Sequence, residues 1–334
     1  MKQASVTIII LSLILFSSCG GEKAKTTKKD IPAKVKKEAV NIPAFNADSA
    51  YQFVADQVNF GPRVPGSKSQ ELCARYLTEK LTQFSATVQQ QTFKMRAYND
   101  EILDGINIIG SYNVDAKRRI LLSSHWDSRP YADHDENEAF HRTPIDGAND
   151  GASGVGVLLE MARQFGMQNP TVGVDIVLFD LEDFGPPDDT QGEDGGEFWG
   201  LGSQYWAKNP HTFGYRAAYG ILLDMVGAPN AVFPMEGFSV YYAPHIVRKV
   251  WNKAQSLGYE SYFPQTQGTY VNDDHLYVNK YANIPMIDII HLDQDSKNST
   301  FFDHWHTHND NMDAIDKTPL GVVGEVLLNL IYNE

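Results

Sequence analysis

In this 334-residue chain, potential ligands and proton carriers collect where short apolar runs stop. The run over 120–124 leads into Ser124-His125-Trp126-Asp127, and that over 174–179 into Asp180-Leu181-Glu182-Asp183. The runs over 219–223 and 285–290 lead into Asp224 and His291. One such ending is ordinary loop chemistry; four suggest a shared site. Adjacent carboxylates such as Glu182 and Asp183 repel each other unless a proton or cation lies between them. A metal resolves the conflict, with one carboxylate as ligand and its neighbour as proton carrier. The other reading is a solvated acidic turn, which is how Asp188, Asp189, Glu193 and Asp194 further along read. Asp150 sits in Gly147-Ala148-Asn149-Asp150-Gly151-Ala152-Ser153-Gly154, just before a helical pattern. It is either a cap for exposed backbone N–H groups or a ligand. The segment Phe301-Phe302-Asp303-His304-Trp305-His306-Thr307-His308 crowds three histidines around a tryptophan. These histidines alternate, so in an extended segment they cannot all face one ion, and one is expected to bind. His125-x-Asp127 is weak by itself. Oxygen and nitrogen ligands without cysteine suit an open catalytic zinc site, whereas calcium prefers more oxygens and no imidazole.

Residues of this kind need a scaffold that brings distant loops together. Helical patterns cover about 47–59 and 67–84, the second after Pro65-Gly66-Ser67. Strand-like runs cover 87–93, 105–112, 120–124, 174–179, 219–223 and 285–290, with a buried helix over 154–165 between the third and fourth. Helices near 244–257 and 319–333 close the chain. The alternation predicts an α/β fold, a single domain with a central mixed, mostly parallel sheet flanked by helices on both faces. Ligands of such sheets gather at the carboxyl ends of the strands, which is where the four polar endings fall.

Composition narrows the partners. The formal net charge is −14, so a nucleic-acid partner is not expected, because a phosphate backbone calls for a basic surface. Residues 1–19 read as a leader: Lys2, an apolar run over 6–16 too short to span a bilayer comfortably, then Ser17-Ser18-Cys19-Gly20. Small residues directly before a cysteine resemble the lipobox of bacterial lipoproteins, which implies cleavage before Cys19 and acylation of its thiol. Residues 20–44, rich in Lys, Ala and Thr, read as a flexible tether, and 45–334 as the domain. Cys73, the other cysteine, is expected to be a buried structural thiol.

The order His125-x-Asp127, Asp150, Glu182-Asp183, Asp224 and His306 resembles the co-catalytic zinc aminopeptidase superfamily. Two branches of that superfamily imply different sites. A two-zinc aminopeptidase would use His125, Asp150, Asp183, Asp224 and His306, with Asp150 bridging. A glutaminyl-peptide cyclotransferase would hold one zinc on Asp150, Asp183 and His306, with Glu182 as general acid/base. Gly61-Pro62-Arg63-Val64-Pro65-Gly66-Ser67, Asn272-Asp273-Asp274-His275 and Trp305-His306-Thr307 are similar to segments of the animal-type cyclotransferases. That resemblance implies conversion of N-terminal glutamine to pyroglutamate with release of ammonia. It implies one zinc per chain, Asp224 and Asp273 as partners for the reacting nitrogens, and a pocket lined by Trp305, Phe301 and Phe302, with Trp199 or Phe184 in place of the tryptophan that follows the paired carboxylates in the animal enzymes. His125, Asp127 and Asp288 are assigned to a second metal or to support of the first. Asp288 and Asp183 stand where the animal enzymes carry histidine and glutamate. The expected substrates are peptides or proteins with N-terminal glutamine, and the expected location is the bacterial cell envelope, lipid-anchored and facing the periplasm. A non-catalytic binding lipoprotein is the remaining alternative, which loss of Glu182 or of ligands would have favoured.

Overall fold

Side chains alternate across a strand, and in this protein that alternation divides the core in two. A computed structural model describes residues 41–190 and 197–334. Helices α1 (Ala47–Val58) and α2 (Lys68–Gln83) come first, then the antiparallel pair β1 (Thr87–Arg96) and β2 (Ile102–Tyr112). β3 (Arg119–His125), α3 (Ala152–Met167) and β4 (Gly173–Phe179) follow. Next are α4 (Leu201–Lys208), β5 (Gly220–Asp224), α5 (Gly237–Tyr242) and α6 (Pro244–Ser256). A single turn α7 (Asp274–Tyr277), β6 (Met286–Ile290) and α8 (Lys317–Tyr332) complete the fold.

The six strands form one sheet in the order β1-β2-β4-β3-β5-β6. β4, β3, β5 and β6 are mutually parallel, and β1 and β2 add an antiparallel edge. Ile120, Leu122, Val174, Ile176, Leu178, Ile221, Leu223, Ile287 and Ile289 pack on one face with residues of α1, α2, α3, α6 and α8. Leu121, Val177, Phe179, Leu222 and Met286 pack on the other with Trp206 of α4 and Val278, which follows α7. Both faces are thus covered, as parallel sheets require. Arg119, half-buried at the start of β3, is held by both oxygens of Asp175 in strand β4.

The expected elements recur with small shifts in their ends. β1 and β2 run longer than the apolar pattern suggested, because their extensions pair with each other through Arg96 and Ile102 while staying largely exposed. The short α4, α5 and α7 carried too few residues for a period to show. α1, α2 and α8 begin where Asn46, Ser67 and Asp316 accept backbone N–H bonds. The expected leader, Cys19 and tether residues up to 40 lie outside the described residues. Residues 41–44, assigned to the tether, belong to the folded part: Gln168 and Gln164 donate to the carbonyls of Asn41 and Ala44, and Ile42 packs on the core. Cys73 is fully buried, and burial pushes its thiol up to about 12.

Candidate metal centre and substrate pocket

The carboxyl ends of the parallel strands deliver the site residues, each by a different local device. β3 ends in His125. Asp127, two residues on, turns back to accept from the backbone N–H groups of Glu182 and Asp183, both at 3.1 Å. It therefore clamps the loop after β4, and it faces His125 Nδ1 at 3.5 Å. Asp150 precedes α3 but does not cap it, since Gly151 holds the cap position with no side-chain bond. Its carboxylate lies 3.0 Å from His125 Nε2 and 3.8 Å from His306 Nε2. Gly151 is needed there because an added Cβ would lie 2.4 Å from the His125 ring. His306 sits in a turn rather than an extended segment, with φ of 56°. That turn sends His308 to Asp135 and leaves His306 alone facing the acids. Among the described residues, three larger side chains outside the Asn/Asp/Ser group adopt positive φ: Leu181, Met225 and His306. They precede Glu182, follow Asp224, and form the site itself, which is where backbone strain tends to be held.

Asp150, Asp183 and His306 offer three ligand atoms within 4.8 Å of one another, all buried. The set fits zinc. Asp183 Oδ2 is buried with no hydrogen-bond partner, and His306 Nε2 lies 3.3 Å from Asp183 Oδ1. Across the ring, His306 Nδ1 faces Asp133 Oδ1 at 3.2 Å, the carboxylate–histidine arrangement that turns the other nitrogen toward a metal. Arg129 binds Asp133 and donates to the Asp183 carbonyl at 3.0 Å. Asp310 accepts from the Asn149 and Asp150 backbone N–H groups, fixing the loop that carries the Asp150 ligand. A second buried triad, His125, Asp150 and Asp224, shares Asp150 with the first. There His125 Nε2 lies 3.2 Å from Asp224, so the imidazole already bridges both carboxylates.

Glu182 lines a pocket beside the first triad, together with Asp224, Asp273, Trp199, Phe301 and Trp305. The cavity is about 60 Å³. Roughly 10–15 Å³ suffices for one water, so it takes a few heavy atoms, enough for an amide side chain and too few for a polypeptide. Burial, then the neighbouring Asp273 and Asp183, pushes the Glu182 carboxyl well above the ordinary range, against the pull of His125. Burial and Asp150 raise Asp224 to about 7. Asp224 thus gains the capacity to hold a proton near neutrality. Trp305 packs against His306, Trp199 lies nearly parallel to the His306 ring, and the Arg129 guanidinium stands 4.8 Å from the centroid of the Trp199 ring.

Three sequence expectations change. Phe302 does not wall the pocket; it is buried with Ala228, Leu292 and Ile290 and lies beside His291, because the turn at 301–306 sends neighbouring rings to opposite sides. Phe301 remains at the pocket. His291 lines a separate cavity with Asn230 and Asp313, and β6 instead contributes Asp288, buried behind Asp273. Phe184 packs with Tyr98 and Tyr131, so Trp199 is the pocket tryptophan after the paired carboxylates. Arg129, Asp133 and Asp310 support the candidate ligands, and their residue types and spacing alone do not assign them that part. Asp310 lies in the Asn309-Asp310-Asn311 end of the histidine segment, and this was the one available signal.

Fold and site together define a zinc-type α/β enzyme with carboxylate and imidazole ligands at the ends of a parallel sheet. The chain belongs to Peptidase family M28, which matches residues 107–331. Within that family it is similar to the glutaminyl cyclase of Bacteroides thetaiotaomicron, solved bound to N-acetylhistamine: 51% identity over 88% of this chain and 100% of that one, with a TM-score of 0.86. A Zn-dependent exopeptidase from Parabacteroides distasonis is 50% identical over 88% of this chain and 100% of its own, with a TM-score of 0.86. The glutaminyl-peptide cyclotransferase of Bos taurus is 25% identical over 79% of this chain and 76% of its own length.

Proposed function

We propose that the protein is a zinc-dependent glutaminyl-peptide cyclotransferase that converts N-terminal glutamine of peptides or proteins to pyroglutamate and releases ammonia. The observation that carries this is the small pocket that Glu182 lines together with the Asp150–Asp183–His306 centre and two tryptophans. Likeness to named glutaminyl cyclases at half identity supports it. Bound at that centre, zinc supplies Lewis-acid polarisation of the side-chain amide carbonyl. The residues of the chain do the rest. Trp199, Trp305 and Phe301 hold the glutamine side chain folded toward its own amine, a near-attack arrangement. The α-nitrogen forms a bond to the amide carbon, and the bond from that carbon to the amide nitrogen breaks. Glu182 takes the proton from the attacking nitrogen and delivers it to the departing one, which leaves as ammonia. Asp224 and Asp273 accept hydrogen bonds from the nitrogens and orient them.

We favour one zinc per chain, held by the triad that shares its pocket with Glu182. The rival reading is a two-zinc exopeptidase, which the second triad and the exopeptidase neighbour favour. Incubation of pure protein with Gln- and Leu-peptides separates them. Ammonia release with the peptide otherwise intact, at one zinc per chain, is expected; free leucine without ammonia would overturn the assignment. We further propose an envelope location through acylated Cys19, on the strength of the leader pattern. In a bacterial host the full chain should fractionate with membranes and Cys19→Ser should not; membrane recovery of both would remove the anchor.

A further inference from the structure

Two fully buried ionisable residues behind the pocket have no part in the chemistry so far. Glu236 accepts from Phe238 N at 2.8 Å, Ser239 N at 2.6 Å, Ser239 Oγ at 2.7 Å and Val271 N at 3.0 Å. His275 Nε2 lies 2.9 Å from the same carboxylate. Charges are costly to bury unless some requirement keeps them there, and a buried ion pair is weak as a source of stability. The surroundings indicate the requirement. With its acceptor sites taken up by donors, Glu236 is an acceptor only, so His275 carries its hydrogen on Nε2. His275 Nδ1 is then left facing Asp288 Oδ2 at 3.9 Å. Neither His275 Nδ1 nor either Asp288 oxygen has a hydrogen-bond partner, and Asp273 Oδ2 has none either. Asp273, His275 and Asp288 nonetheless bring their polar atoms within 4.8 Å of one another. Ser239 ties the assembly together, donating to Glu236 and accepting from the Asp288 backbone N–H at 2.9 Å.

We infer that Glu236 and His275 are a positioning pair for the Asp273–Asp288 couple. Glu236 fixes the imidazole so that Nδ1 faces Asp288, and the couple in turn presents Asp273 to the reacting nitrogen. Asp273 and Asp288 are too close for both to ionise cheaply, and His275 Nδ1 offers an acceptor for a proton on the Asp288 side. Drawn toward His275 Nδ1 through Asp288, that proton leaves Asp273 free to accept from the substrate. Of these four residues Asp273 alone lines the pocket, so Glu236 and His275 act through it. The inference rests on the enzymatic reading above but not on which N-terminal residue is processed.

His275→Gln and His275→Asn divide the role. Glutamine places an amide nitrogen near Nε2 and keeps the bond to Glu236, with nothing at Nδ1; asparagine places a polar atom near Nδ1. Turnover is measured per zinc-loaded enzyme on whichever of the Gln- or Leu-peptides the wild type consumes, so the outcome of the substrate assay does not decide this one. His275→Gln should keep zinc and leave KM within about twofold while kcat falls at least about tenfold, and His275→Asn should recover part of the loss. If His275→Gln does not fold, Glu236→Gln, which keeps an acceptor for the α5 backbone, takes its place with the same expected split. A kcat at the wild-type level, or a loss that merely follows zinc content and melting temperature, would overturn the role.

Discussion

At the scale of single residues, the site divides labour between neighbours of like chemistry. Glu182 and Asp183 are adjacent in sequence, yet Asp183 faces His306 and Asp150 while Glu182 faces the pocket. Asp127 makes the division possible by accepting both of their backbone N–H groups, which holds the two side chains in diverging directions. Glu182→Gln removes the proton carrier without touching a ligand, so zinc content should equal that of the wild type while kcat falls by roughly 10²–10⁴. Substantial residual cyclisation by a zinc-replete variant would refute the assigned role. An amide in that position still fills the space, so misfolding is not the expected cause of the loss.

At the scale of elements, parallel strands supply depth and the loops after them supply direction. The start of α3 shows how tightly the two are joined. The helix approaches β3 so closely that Gly151 lies against the His125 ring, and Gly154 lies against Ser124 and the Leu223 carbonyl. A methyl group at 151 would have to displace either the imidazole or the loop that carries Asp150. Gly151→Ala should therefore cost about 1–3 kcal/mol, the usual range for overpacking. It should also weaken zinc binding, because the displaced loop holds a ligand. Denaturant melts and zinc analysis on the same preparation check this; wild-type values in both would show that the contact is relieved elsewhere. The positive φ angles at Leu181, Met225 and His306 belong to the same scale, since each lets a strand or turn end abruptly beside the pocket.

At the scale of the molecule, zinc is expected to act as part of the fold. Asp150, Asp183 and Asp224 converge in a buried space, and their mutual repulsion is offset by His125, His306 and Arg129. A bound dication adds to that compensation in the native state alone. Chelation should therefore lower the melting temperature reversibly. At a free zinc concentration about a thousand times Kd, the native state gains roughly 4 kcal/mol over the metal-free protein. Calorimetry with and without chelator, followed by zinc addition, measures the effect; identical melting curves would mean that the centre does not hold the ion. The large core on both faces of the sheet should keep the metal-free protein folded.

The sequence alone determined most of the scaffold and the types of the ligands. Apolar runs such as 174–179 have to be buried strands, because nothing else hides them on both faces, and the acids and histidine that follow them cannot be hidden without partners. Asp183, Asp224 and His125 were legible for that reason, each standing at the end of a run, and Asp150 from its glycine-rich segment before a helix. The tertiary structure decided what depends on direction and distance. It turned Phe302 and His291 away from the pocket, chose Trp199 over Phe184, and brought Arg129, Asp133 and Asp310 under ligands remote from them in sequence. Side-chain direction in a turn and contact across fifty residues or more leave no periodic trace, so these features exist only once the strands have been set side by side.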